Sequence, residues 1–323
     1  MIHFCKLLDA ATGQLDRHLD PAEVSTLRQE RQKVVWLDVL DPTEADMEVL
    51  AEEFGFHPLA LEDCLHSHQR PKLEQYQGYV FMVLYQPHLV ADDIVVPLEL
   101  EVFLGPNYVV TVHRQPVPVI PEIERRWEVG ETPPEEGASY LFYLLVDAVV
   151  DSYFPVLDAY SDRLEALERR IFESFQPEVL EDIFKLKKET LHIRRLVTPL
   201  RDVFLVLLRG QHTVFGAKTY PLFQDVLDHL LRISDGIDTY RELVGSALDA
   251  YMSSASNRTN ETMKKLTVLS TVLMSMALVA GIYGMNFRVM PELAWQDGYY
   301  FALWLMAGVA AVLTALFRWR RYI

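Results

Sequence analysis

Gly281-Ile282-Tyr283-Gly284-Met285-Asn286-Phe287 joins two charge-free apolar segments, one from about Leu266 to Tyr283 and one from about Tyr299 to Phe317. Each is close to the ~20 residues that carry a helix across ~30 Å of hydrocarbon. Two spans at the end of a 323-residue chain make this a membrane protein. A pair of helices cannot enclose a watery path, so conduction would need several copies around an axis. Arg258, Lys264 and Lys265 precede the first span, and Arg318, Arg320 and Arg321 follow the second. The positive flanks place both ends, and everything before Leu266, in the cytoplasm. The connecting loop, Arg288 to Gly298, has a slight acidic excess and faces outward.

Half of the composition is hydrophobic, enough for a sizeable core besides the spans. A net charge of -16 argues against nucleic-acid binding and favours cations as partners. Cys5 and Cys64 form no disulfide framework, and Met1 to Ala11 does not read as a signal peptide.

Upstream, Val34–Val39, Tyr79–Leu84 and Tyr108–Val112 are rich in β-branched and aromatic residues and read as strands of one small sheet. Thr43 to Phe54, after Asp41-Pro42, and Leu59 to His66 read as helices between the first two strands, an α/β mixture. A loop at 131–137 ends this part. From Ala138 the apolar residues recur three and four apart, as in Leu157, Leu164, Leu167 and Ile171, and Pro177 and Pro199 divide the run into helical hairpins. A last helix begins near Leu222 and meets no strong breaker before Tyr283; Gly236 and Gly245 are its weak points.

On that helix a 3-4 spacing lines up Asp249, Met252, Ser256, Asn260, Met263, Leu266 or Thr267, Ser270, Met274, Ala277, Gly281 and Gly284. Oxygen-bearing, thioether and small side chains alternate there, unlike a Leu-rich coiled-coil seam. The stripe suits the wall of a narrow wet passage; the competing reading is close helix packing through small and Met residues. Asn286, repeated around an axis, would offer a ring of neutral carbonyl oxygens to a hydrated cation such as Mg²⁺, which sheds water reluctantly. Read alone, Gly284 to Asn286 is better explained as a left-handed helix C-cap.

Tyr283-Gly284-Met285-Asn286-Phe287, Met290-Pro291-Glu292-Leu293 and the basic end Arg318 to Arg321 closely resemble the CorA family of divalent-cation channels. Asp249-Ala250-Tyr251-Met252-Ser253-Ser254, Ser256-Asn257-Arg258-Thr259-Asn260, Met263-Lys264 and Gln69-Arg70-Pro71-Lys72 extend the resemblance over essentially the whole chain. The resemblance implies an α+β membrane protein: a homopentamer with a cytoplasmic α/β/α domain, a long pore-lining helix and a second membrane helix outside it. The chain then divides into a cytoplasmic α/β part (1–137), a helical hairpin part (138–221), a stalk and pore helix with the first span (222–287), an external loop (288–298), the second span (299–317) and a basic tail (318–323). Gly284, Met285 and Asn286 become the motif that recognises hydrated Mg²⁺, with Glu292 in the outer loop. Asp249, Met252, Asn260, Met263, Leu266, Met274, Ala277 and Gly281 fall on pore positions, Met263 and Leu266 forming a hydrophobic constriction. Ser275 and Ala277 depart from the proline and threonine common in relatives, which loosens the expected cation preference. The resemblance also implies inhibition by internal cation at Asp225, with Asp92 or Asp93 as a partner carboxylate. Mg²⁺ is thus both cargo and regulator, with no organic cofactor.

His57, Cys64, His66 and His68 do not share one helix face and are not read as a zinc site. Glu99 and Glu101 alternate with apolar residues as on a half-exposed strand. No catalytic triad order, phosphate-cradling glycine loop or dinucleotide fingerprint occurs, so no enzyme is expected. Co²⁺ and Ni²⁺ are further candidate cargoes; the rivals are a related transporter of Zn²⁺, Co²⁺ or Ni²⁺, with or without proton coupling, and a membrane-anchored sensor or interaction protein without conduction.

Overall fold

A computed structural model describes all residues except 11, 29, 31, 91–93, 130–136, 174–175, 210–214, 216–217, 289, 321 and 323, together with the side chain of Leu293. Asp92 and Asp93, and most of the expected loop at 131–137, therefore lie outside the described residues. The chain forms two compact units, Met1–Arg169 with Glu178–Ser246, and Arg170–Pro177 with Ala247–Ile323.

The first unit is built on a mixed seven-stranded sheet: β1 (Ile2–Asp9), β2 (Leu15–Asp16), β3 (Lys33–Leu40), β4 (Lys72–Tyr76), β5 (Tyr79–Val90), β6 (Ile94–Leu104) and β7 (Tyr108–His113). Their order is β2-β1-β3-β7-β6-β5-β4. Only β3 and β7 run parallel, and that pair is central, as expected for strands buried on both faces. α1 (Val24–Leu27) is a single turn. α2 (Glu44–Phe54) starts on a Thr43–Asp46 capping box and stops at Gly55 in the left-handed region, φ 69. It lays Phe54 edge-on against Tyr108 of β7, with ring centroids 5.0 Å apart. α3 (Pro58–Leu65) follows. On the other face, Trp127 of α4 (Val119–Glu128) packs 5.7 Å from Trp36 of β3. The sheet is thus covered on both sides.

α5 (Gly137–Asp151) lies against β3, β5, β6 and β7 and is followed by α6 (Tyr153–Glu173). The run Gly137–Glu173 is long and apolar enough to cross a membrane, yet half of its apolar window is buried, against 6% and 0% for the windows of the last two helices. Its hydrophobicity serves the core. α7 (Pro177–Arg209) continues through Pro199, where the sequence suggested a break. Proline removes one helical hydrogen bond, but Ile193, Leu196, Val197, Leu200 and Phe204 are buried on both sides of it and hold the helix together. α8 (Tyr220–Tyr283) runs 64 residues without interruption, Gly236 and Gly245 included.

The second unit contains α8 from Ala247 onward, a 3₁₀ turn at Pro291–Ala294 and α9 (Gly298–Trp319). The Lys264 ammonium sits 5.8 Å from the Tyr322 ring centroid, so the start of the first apolar segment meets the end of the second and the pair forms a hairpin. Trp295, Tyr299, Tyr300 and Trp304 are exposed near one end of α9, Trp319 and Tyr322 at the other. Amphipathic rings at both ends of an apolar helix suit the two membrane–water interfaces.

Candidate functional site

Every residue expected on the α8 stripe lies on the helix surface: Asp249, Met252, Ser256, Asn260, Met263, Leu266, Met274, Ala277 and Gly281 are all exposed. Met274 is 73% exposed, an apolar side chain that a lone helix would leave without a partner. The hydroxyls nearby divide into two kinds. Thr259, Thr262, Thr267, Thr271 and Ser275 donate to the carbonyl four residues back. Their polarity is consumed inside the helix. The carboxamide of Asn260 and the hydroxyls of Ser256 and Ser270 make no hydrogen bond among the described residues, and remain able to face an ion's water shell.

At its C-terminal end α8 does not close with a left-handed cap: neither Gly284 nor Asn286 has positive φ. The Gly284 N–H bonds to the Ala280 carbonyl at 2.9 Å and the Met285 N–H to that of Ile282 at 3.3 Å. The cap reading therefore fails, and glycine serves closeness: a Cβ on Gly284 would lie 3.2 Å from the Ala280 oxygen. Met285, Asn286 and Phe287 are exposed, and the Asn286 carboxamide has no partner among the described residues. Glu292 is half-buried in the 3₁₀ turn, whose carbonyl accepts the Trp295 N–H at 3.3 Å.

In the first unit, α5 and α8 bring together groups that are distant in sequence. Asp147, Asp151 and His229 offer ligand atoms all within 4.8 Å of one another. His229 Nδ1 is 2.9 Å from Asp151, and its Nε2 is 3.8 Å from Asp225. Burial, reinforced by the Asp151 charge, raises the Asp147 carboxyl above the usual range. Carboxylates and an imidazole so placed could hold a cation. The His57 to His68 group does not assemble: Cys64 is buried with its thiol on the Ala60 carbonyl, and α3 ends at Leu65, before His66 and His68.

The family whose sequence profile matches, the CorA-like Mg²⁺ transporter protein, covers residues 31–321. The chain belongs to the CorA family. It is 36% identical to a cobalt/magnesium transport protein CorA of Thermotoga maritima over 293 residues, 89% of this chain and 83% of that one. It is 35% identical to a putative metal ion transporter of Bacillus subtilis over 274 residues, 85% of each. The complete CorA magnesium transporter of Methanocaldococcus jannaschii has the same fold, with TM-score 0.84 at 24% identity over 98% of both chains.

In this CorA chain, Asp147, Asp151 and His229 escaped the sequence reading, which of this cluster had named only Asp225. The signal was there in weak form: Asp147 and Asp151 are four apart on one helix, Asp225 and His229 four apart on another. Neither pair means more than a solvated helix face until the fold sets the two helices side by side. Glu101 was misjudged for the same reason. It does share a face with Glu99, but it is buried, because what covers a strand is not written in its alternation.

Proposed function

We propose that this protein carries Mg²⁺, with Co²⁺ as a second cargo, through the membrane as a homopentamer whose α8 helices line the path. The observation that carries the reading is the α8 stripe, exposed along its whole length, with the carboxamides of Asn260 and Asn286 unspent while the neighbouring threonines are satisfied internally. Copies around an axis would cover the stripe and create the path. Asn286, with Gly284 and Met285, recognises the hydrated ion; Met263 and Leu266 close by narrowing and dewetting; Asp249 draws the ion inward. Glu292 lies in the outer loop. A negative interior drives the passage, since two charges crossing ~100 mV gain roughly 4.6 kcal/mol. With α8 and α9 as the spans, both termini and the first unit are cytoplasmic. The Thermotoga maritima relative is named for cobalt and magnesium, which disfavours the zinc alternative, and a transport role needs no catalytic group. Proteoliposomes loaded with an ion-sensitive dye test the reading: Mg²⁺ and Co²⁺ enter with an inside-negative potential and without a proton gradient. Strict dependence on protons, or flux of Zn²⁺ alone, would overturn it.

Regulation by internal cation is assigned to Asp225 together with Asp147, Asp151 and His229. Asp92 and Asp93 remain the carboxylates that a neighbouring copy would contribute. Without a divalent ion the acids repel one another; with it they become a clamp. Asp147→Asn and Asp225→Asn are each expected to weaken Mg²⁺-dependent protection of the first unit against trypsin, shifting the protective concentration about tenfold. Protection curves that overlay those of the wild type would place regulation elsewhere.

A further inference from the structure

The first unit contains a cleft of about 900 Å³ between the loop after α3, strand β6 and the middle of α7. This is within the range of sites that enclose a small organic ligand. Four arginines line it, Arg70, Arg114, Arg194 and Arg195, against two acids, Glu99 and Glu101. In a chain of net charge -16 such an excess of cations is out of character.

The two acids offset only part of this charge. Glu99 is spent on the backbone, accepting the N–H groups of His68 and Gln69 at 2.7 Å each. Glu101 lies at the floor, where burial, reinforced by the Glu99 charge, pushes its carboxyl well up and weakens its hold on the guanidinium groups. Two of the arginines are otherwise engaged: Arg194 pairs with Asp238 at 2.7 Å, and Arg114 donates to the Leu65 carbonyl. Arg70 and Arg195 are exposed and have no ion pair among the described residues.

The wall that carries Arg70 is held in a costly shape. His68 has φ 74, a left-handed conformation that a non-glycine residue adopts only when its surroundings enforce it. Glu99 grips this loop from one side, and the Tyr85 hydroxyl donates to the Gln69 carbonyl from another, at 2.5 Å. Across the gap, His192, Arg195, Leu196 and Pro199 share one face of α7 by their spacing. The guanidinium groups therefore stand on two preorganised supports beside an apolar surface.

We propose that this cleft binds an organic phosphate of nucleotide size, its phosphates on Arg70 and Arg195 and its organic body against Val96, Leu98, Leu196 and Pro199. Guanidinium forks match phosphate oxygens in pairs. Arg70 and Arg195, without an ion pair among the described residues, leave a positive excess suited to a polyphosphate. None of these residues belongs to the α8 stripe, so the proposal stands or falls apart from the ion path.

The test is calorimetry on the full chain in detergent, titrated with ATP, inorganic phosphate and adenosine in Mg²⁺-free buffer containing EDTA. The chelator silences the acidic cluster at Asp225. ATP should saturate at one site per chain, with phosphate and adenosine each at least about tenfold weaker. Arg70→Glu and Arg195→Glu should each weaken ATP by about tenfold or more. Amide hydrogen exchange of the wild type requires no variant: ATP should slow exchange at residues 66–71. Absence of saturation, unchanged affinity in both variants, phosphate binding as tight as ATP, or unaltered exchange at 66–71 would each overturn the assignment.

Discussion

Asn286→Ala is expected to abolish Mg²⁺ uptake while the protein still folds and assembles. The carboxamide is exposed at the end of α8 and is bound to nothing among the described residues, so its removal leaves no buried partner unsatisfied. On the proposed reading, its loss would fall on the ion. A hydrogen bond to a charged species is worth about 1.5–3 kcal/mol; in the proposed pentamer even ~1 kcal/mol lost per copy would exceed three decades in occupancy. Asn286→Asp separates recognition from passage. Five carboxylates would hold the ion more tightly and release it more slowly, giving stronger binding with reduced flux. Dye-loaded proteoliposomes and growth of a Mg²⁺-dependent host read both variants, with size-exclusion elution as the check on assembly. Wild-type flux from a correctly assembled Asn286→Ala protein would remove the residue from the path.

The long membrane helix was legible because its signals are local: a periodic stripe, no proline between Leu222 and Tyr283, and apolar segments of spanning length. The strands β3, β5 and β7 were legible from their β-branched and aromatic runs. Pro199 was misread because a proline's local cost is visible in sequence, whereas the packing on either side of it that outweighs the cost is not. Gly284 was ambiguous because close approach and positive φ both call for glycine; only the backbone decides between them. The Asp147, Asp151 and His229 cluster and the cleft above Glu101 are tertiary facts. They arise where α5 meets α8 and where α7 lies near β6, and no single segment announces them.

A buried charge in the sheet gives the second large effect, since the first unit depends on a carboxylate no periodicity singled out. Asp38 on β3 is fully buried. It accepts the Thr111 hydroxyl, lies 3.2 Å from His113 Nε2 and 3.2 Å from His3 Nδ1, and Thr111 in turn accepts the Trp36 indole N–H at 3.1 Å. Removing one partner of a buried pair typically costs 3–5 kcal/mol, because the other is stranded without water. Asp38→Ala should therefore lower the melting temperature of the detergent-solubilised protein on the order of 10 °C. The pH dependence identifies the cause. Burial alone would lower the His113 pKa, but the hydrogen bond and charge of Asp38, with the Gln115 carbonyl, raise it above 6.5. A histidine raised on folding contributes stability fully present below its unfolded value and lost as pH rises through the folded one. Wild-type stability, measured against His113→Gln, should be greatest near pH 6 and should decline as the buffer passes above neutrality. Asp38→Asn keeps the shape and an acceptor for Thr111 but removes the charge, so it should erase that pH dependence. Thermal melts from pH 6 to 8.5 decide it: an Asp38→Ala protein as stable as the wild type, or a wild-type advantage that rises with pH, would show that the Asp38–His113 pair does not support the sheet.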